Sequence, residues 1–190
     1  MTRLFLVRHA EPAAGWGGEA SDPGLSNVGR EQAQTVAKAL SAIGQFEVVS
    51  SPMLRCRETA SPYAALGGVI PRVEPRVSEV VAPVGVRDRR LWLRDTFPWD
   101  DGIARRRWSD VPRDLRTWRD DCSTALHEMT ANTVVFTHFI AINAIVSAAS
   151  GAADTIVFRP GHCSITELEL TAGVLRVVGL GDEMNSADVL

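Results

Sequence analysis

Three short apolar runs dominate what this chain can fold into. "LFLV" at residues 4–7 places four apolar side chains on consecutive positions, the pattern of a strand covered on both faces. "FEVVSS" at 46–51 and "NTVVFTH" at 132–138 are the second and third such segments. Each leads into a stretch that reads as a helix. Strands alternating with helices predict an α/β fold, a three-layer sandwich whose mostly parallel central sheet is flanked by helices. A chain of 190 residues suits a single domain spanning 1–190, with an Arg/Trp-rich insertion or lid at about 79–110.

The helices announce themselves locally. Ser26 is placed to cap a helix in which Ala33, Val36, Ala37, Leu40 and Ile43 recur at helical spacing. "SPMLRCRETASPYAAL" opens a second, with Ser51 at the cap and Pro52 at the first helical position. Residues 69–83 hold strand-like pieces broken by prolines. A helix is predicted over about 112–129, and the apolar "FIAINAIVSAAS" gives another after the third strand. "CSITELEL" and "VLRVVGL" around "TAG" read as a terminal hairpin.

Composition excludes more than it assigns. Hydrophobic residues make up 45% and charged residues 23%, as in ordinary globular chains, and the net charge of −3 argues against nucleic acid as a partner. No run approaches the ~18 apolar residues of a membrane span. The N-terminus reads as a strand rather than a signal peptide. Cys56, Cys122 and Cys163 show no paired spacing, which points to reduced thiols and a cytoplasmic location.

The ends of the three strands share a grammar. The first stops in Arg8 and His9; the second leads to Arg55 in the first turn of a helix; the third stops in His138 at the start of another. Parallel strands place their carboxyl ends on one side of the sheet, where such folds bind ligands. Two arginines and two histidines far apart in sequence therefore converge. Taken singly, Arg8 reads as a surface ion-pair partner, Arg55 as a solvated helix residue beside Arg57 and Glu58, and His138 as a satisfied buried histidine; three coincidences at equivalent junctions favour a site. The set suits a phosphoryl group. Arginine offers a planar fork of donors, helix N-termini add unpaired N–H groups, a neutral histidine can attack phosphorus, and a second, protonated histidine can stabilise the transition-state oxygens.

Other chemistries fit less well. "GWGGEA" at 15–20 matches a weak dinucleotide-binding pattern, but "SDPG" follows where a helix must start. There is no G-x-S-x-G elbow. The histidines lack the short spacing of common zinc motifs, so neither metal nor cofactor is predicted. The acid pairs Asp100–Asp101, Asp120–Asp121 and Asp182–Glu183 read as solvated.

"LVRHAEP", "LSNVGREQA", "VVSSPMLRCRETA" and "VVFTHFIAINAIV" together resemble the histidine phosphatase superfamily, with its phosphoglycerate-mutase-like fold. The ordered set R-H, S-P-x-x-R and T-H after a strand carries the resemblance, which runs to about residue 150 and extends to "HCSITELEL". It implies that His9 is the phosphorylated nucleophile and that Arg8, Arg55 and His138 form the phosphate pocket. It also implies a glutamate that donates and accepts the proton, looked for at Glu79; the other reading of that residue is a surface loop glutamate, and Glu11 or Asp22 would then be the groups to test. The sequence departs from the family in having Phe139 where glycine often follows the second histidine, in lacking a Gly-x-Trp-Glu-Gly stretch after Glu79, and in being short for a sugar-phosphate mutase. The implied activity is a metal-independent phosphomonoesterase acting through phosphohistidine on a small phosphorylated metabolite. The alternatives are a phosphoglycerate-type mutase, a protein phosphohistidine phosphatase, or a non-catalytic phosphate-binding protein.

Leaving-group recognition is expected in loops 11–24 and 79–110. Residues 87–108 hold seven arginines, four aspartates and Trp92, Trp99 and Trp108. Two arrangements suit them: tryptophans packed on the core with arginines paired to neighbouring aspartates, or a lid whose arginines reach a second anionic group.

Overall fold

The computed structural model describes residues 1–14 and 22–185. The "GWGGEA" segment lies outside the described residues, as does part of the 11–24 loop.

One six-stranded sheet forms the centre. In chain order its strands are β1 (Thr2–Arg8), β2 (Glu47–Ser50), β3 (Arg72–Val73), β4 (Thr133–Thr137), β5 (Ile165–Thr171) and β6 (Val174–Gly179). Their spatial order is β3-β2-β4-β1-β5-β6. The first four are mutually parallel, and β5 and β6 are antiparallel additions on the β1 side. The α/β sandwich with a mostly parallel sheet is thus the observed architecture. The terminal hairpin closes through Ala172 and Gly173, both at positive φ. Of the proline-broken stretch at 69–83, only the two-residue β3 pairs. A 3-10 turn at Pro75–Val77 follows at once, because Pro75 has no N–H to give a ladder.

The alternation of side chains along β1 builds both layers. Leu4 and Leu6 join Val135 against α4 (Arg113–His127) and α5 (Phe139–Ser150), through Cys122, Leu126, Ile142 and Ile145. Phe5 and Val7 join Val134 and Phe136 against α1 (Asn27–Ile43) and α2 (Leu54–Gly67), through Val36, Leu40, Cys56 and Ala60. This is why the run "LFLV" has no polar position: neither face of the sheet meets water.

The 87–108 segment forms α3 (Arg89–Thr96) and a coil that ends in a 3-10 turn at Trp108–Asp110. Leu93, Phe97, Trp99 and Trp108 pack with Phe139, Ile140 and Ala144 on the first half of α5. Arg94 pairs with Asp100 at 2.8 Å and Arg105 donates to the carbonyls of Pro98 and Asp100. Asp101 pairs with Arg159 while its side chain stays largely exposed, in keeping with a solvated acid.

Ser26 caps α1, its Oγ accepting from Gly29 N at 2.9 Å. Gly29 is required for a different reason. A Cβ there would overlap the carbonyl oxygen of Glu11, which α1 buttresses just beyond His9. Alanine is worth about 1 kcal/mol more than glycine inside a helix. A clash with backbone costs about 1–3 kcal/mol, since the backbone itself must move. We expect Gly29→Ala to lower stability in urea unfolding; unchanged stability would show that the 9–12 turn yields freely.

Candidate active site

The parallel register of β1 with β4 sets Arg8 beside Thr137. His9 N donates to Thr137 O at 2.9 Å, and Ser51 N to Phe136 O at 3.0 Å, so the ends of β1, β4 and β2 are tied side by side. His9 and His138 then meet, ring centroids 5.3 Å apart and edge to face. Arg55, in the first turn of α2, donates from Nη2 to His138 Nδ1 at 3.1 Å. Arg8, His9, Arg55 and His138 are brought together as the strand-end pattern predicts, and all four are buried.

His9 is chemically defined by one bond. Its Nδ1 lies 2.9 Å from the carbonyl oxygen of Ala10, which can only accept, so Nδ1 carries the hydrogen and Nε2 the lone pair. Nε2 has no hydrogen-bond partner among the described residues. Burial above all, then Arg55, His138 and Arg8, holds this ring well below the usual histidine range, so it is neutral. The turn after it is fixed from α2, since Ala10 N donates to Thr59 Oγ1 at 3.0 Å.

His138 differs from the expected protonated ring. Arg55 can only donate, so Nδ1 accepts; burial, Arg55, Arg8 and Arg89 all disfavour the imidazolium. In this arrangement His138 is neutral, with its hydrogen on Nε2.

Arg8 runs under the site. It donates to Pro160 O at 2.9 Å and contacts the sulfur of Met184. Burial lowers it to about 10 against the opposing pull of Glu79. Phe139, where the family often has glycine, lies beneath this guanidinium, 5.2 Å from Cζ to ring centroid, and edge-on to Trp99. Such a contact is worth about 0.5–2 kcal/mol and offsets part of Arg8's lost hydration. The bulk of Phe139 therefore serves Arg8.

Glu79 is not a surface loop glutamate. It is 4% exposed, its Oε1 accepting from Val80 N and its Oε2 from Ile140 N at the start of α5, both at 3.1 Å. Burial pushes its carboxyl up, against the two N–H bonds and the arginines Arg55 and Arg89. Asp22 instead braces α2, accepting from Leu54 N, with its Oδ1 3.8 Å from Arg55. Glu11 accepts from Ser26 Oγ at 2.6 Å.

Several neighbours were not legible as site residues. His162 stands 5.8 Å from His9, centroid to centroid, on a loop fixed by Cys163 N to Arg8 O. Its only signal was its place at the head of "HCSITELEL". Arg89 is the arginine of the 87–108 segment that reaches the site electrostatically, opposite Glu79 and Arg55. Met184 carried no signal.

The family model for the histidine phosphatase superfamily (branch 1) matches residues 4–183. The chain belongs to that superfamily. Among solved structures, a phosphoserine phosphatase from Entamoeba histolytica, in complex with 3-phosphoglyceric acid, superposes with a TM-score of 0.72 at 20% identity, covering 97% of this chain and 98% of the other. A putative alpha-ribazole-5'-P phosphatase from Escherichia coli gives 0.72 at 17% identity over 97% and 98%. A mycobacterial glucosyl-3-phosphoglycerate phosphatase gives 0.71 at 18% identity over 97% and 100%. Among curated relatives, a PE-PGRS family protein of Mycobacterium tuberculosis is 40% identical over 63 residues, 33% of this chain and 11% of the relative. A probable phosphatase of Schizosaccharomyces pombe is 34% identical over 74 residues, 37% and 35%. The chain thus spans about a tenth and about a third of these two proteins.

Glu79 yields a stability test. A carboxyl raised above its unfolded value contributes stability that is present below the unfolded pKa and lost as pH rises through the folded one. Glu79→Gln removes this loss. We expect the stability of Glu79→Gln relative to the unsubstituted protein to climb as pH rises from the ordinary carboxyl range toward neutrality, read by urea unfolding at several pH values. A difference that is flat with pH would mean the carboxyl is not raised.

Proposed function

We propose that this protein is a metal-independent phosphomonoesterase that works through a phosphohistidine on His9 and acts on a small phosphorylated metabolite. Membership of the superfamily carries the coarse assignment, a hydrolase of small phosphorylated substrates. One observation supports the finer one most: His9 Nε2 is fixed as a neutral lone-pair donor, by the Nδ1 bond to Ala10 O, beside two buried arginines and His138.

In the first step the Nε2 lone pair attacks phosphorus in line. The bond to the leaving oxygen breaks, and that oxygen takes the proton of the Glu79 carboxyl. In the second step a water attacks phosphorus, the P–N bond breaks with its electrons returning to Nε2, and Glu79 takes the proton of the water. Arg8, Arg55 and His138 hold the phosphoryl oxygens through both steps; positioning and charge carry most of the work in phosphoryl transfer. The raised carboxyl of Glu79 suits a group that must hold a proton and then recover it. A reducing, cytoplasmic setting goes with this reading, supported by three cysteines that are all free.

The deciding experiment is rapid quench with labelled aryl phosphate in the presence of a chelator, followed by peptide mapping. Acid-labile, base-stable label on His9 is expected, with turnover intact. Label elsewhere, full activity in His9→Ala, or activity abolished by chelator and restored by one metal would sink the mechanism.

Glu79→Gln is expected to slow alkyl phosphates more than aryl phosphates, because a proton donor matters most when the departing oxygen is basic. Steady-state kcat/KM on a graded series of leaving groups measures this. Equal losses across the series would move the acid role away from Glu79.

A further inference from the structure

Ser51 does not cap α2 as its sequence position suggests. Met53 is the capping residue, and the Ser51 side chain turns inward against His138, Oγ to Nε2 at 2.8 Å, with both residues fully buried. Because Arg55 donates to Nδ1, the hydrogen sits on Nε2 and Ser51 accepts it. Ser51 also accepts from Met53 N at 3.3 Å. Its own hydroxyl hydrogen is directed at Ser78 Oγ, 3.5 Å away, at the outer limit of a hydrogen bond. That hydrogen is weakly held and free to turn. Cys56 Sγ, 3.3 Å from Nε2, is the other neighbour, and its thiol lies 3.5 Å from Thr137 O.

A phosphoryl oxygen only accepts hydrogen bonds. To bind one beside Arg55, Nδ1 must carry a hydrogen. Adding a proton would create an imidazolium. The charged and titratable groups facing His138 are Arg55 and Cys56 from α2, Arg8 and His9 from the end of β1, Arg89 from α3, and Glu79 ahead of α3. The three arginines oppose a further cation there. The alternative is the other neutral tautomer, with hydrogen on Nδ1 and a lone pair on Nε2. That form needs a donor opposite Nε2, and a hydroxyl serves as either donor or acceptor.

We propose that Ser51 is a positioning residue: by turning its hydroxyl from Ser78 to Nε2 of His138, it lets a neutral His138 offer Nδ1–H to a bound phosphoryl oxygen. The proton count is unchanged. The ring loses one proton at Nε2 and gains one at Nδ1 by exchange with water, and Ser51 keeps its single hydrogen. The inference rests on the phosphatase reading in that His138 meets a phosphoryl oxygen.

The test uses histidine labelled with nitrogen-15 and inorganic sulfate, a tetrahedral dianion that does not titrate near neutrality. Ring nitrogen shifts at pH 7.5 should show His138 with hydrogen on Nε2 alone, then on Nδ1 alone with saturating sulfate. An imidazolium in the sulfate complex overturns the proposal, and this measurement needs no variant. Sulfate Kd from pH 5.5 to 8 provides the second readout. In Ser51→Ala the donor to Nε2 is gone, so binding needs the imidazolium. Its Kd relative to the unsubstituted protein should rise by up to about tenfold per pH unit, and Ser51→Thr should restore the original profile. Glu79, His9 and His162 are the same in all three proteins, so any pH dependence they contribute cancels in the ratio; a ratio constant with pH overturns the proposal. Phosphate release from an aryl phosphate separates the two failures. An unsubstituted protein that neither turns over substrate nor binds sulfate ends the phosphatase reading and this one with it. One that hydrolyses while holding His138 as imidazolium ends this one alone.

Discussion

The pairing of β1 with β4 is the constraint on which the rest depends. Five residues of each strand lie in parallel register, from Leu4 opposite Thr133 to Arg8 opposite Thr137. A slip of one residue would send Leu4 and Leu6 to the wrong layer and carry His9 away from His138. The apolar faces that fix the layers therefore fix the register, and the register aligns the two histidines. Burial and the candidate site follow from the same hydrogen-bond ladder.

The cost of this placement is electrostatic. Arg8, Arg55, Glu79 and both histidines are taken almost wholly out of water. Protein groups replace some of the lost hydration: Pro160 O and the Phe139 face for Arg8, two backbone N–H groups for Glu79, Ala10 O for His9. Arg8 remains a cation because guanidinium holds its proton even when burial lowers it. The imidazoles give theirs up, and the carboxyl is pushed to keep its own. One low-dielectric setting thus leaves guanidinium groups beside neutral imidazoles and a carboxyl pushed toward its protonated form.

Much of this was legible in the sequence, for identifiable reasons. The apolar runs fix strands by continuity alone, and Arg8, His9, Arg55 and His138 sit within one or two residues of the strand ends or in the turn that follows. What was not legible depended on contacts across the chain. Ser51 carries a cap signature that its side chain ignores, since Asp22 supplies the oxygens that Leu54 N needs. Met184 reaches Arg8 from 176 residues away, and no local pattern encodes that. Phe139 had no readable purpose because its contacts are with Arg8, from the end of the sheet's first strand, and with Trp99, about 40 residues earlier. The tryptophans at 99 and 108 were readable as core, whereas the orientation of Arg89 was not, because a helix of eight residues has arginines on several faces.

The place of β1 in the sheet also bears on how the chain is made. β1 is a central strand made before both of its neighbours: β4 and β5 follow more than 120 residues later. Its apolar side chains must wait for all of those residues before either edge is paired. α1, α2 and β2 can gather beforehand on the Phe5 and Val7 side, but β2 has no direct ladder to β1 and reaches it only through β4. The nascent chain thus carries an exposed apolar strand until β4 is made, the kind of segment that recruits chaperones or pairs with the wrong partner. His9, attached to that strand, meets Thr137 and His138 only when the end of β4 emerges.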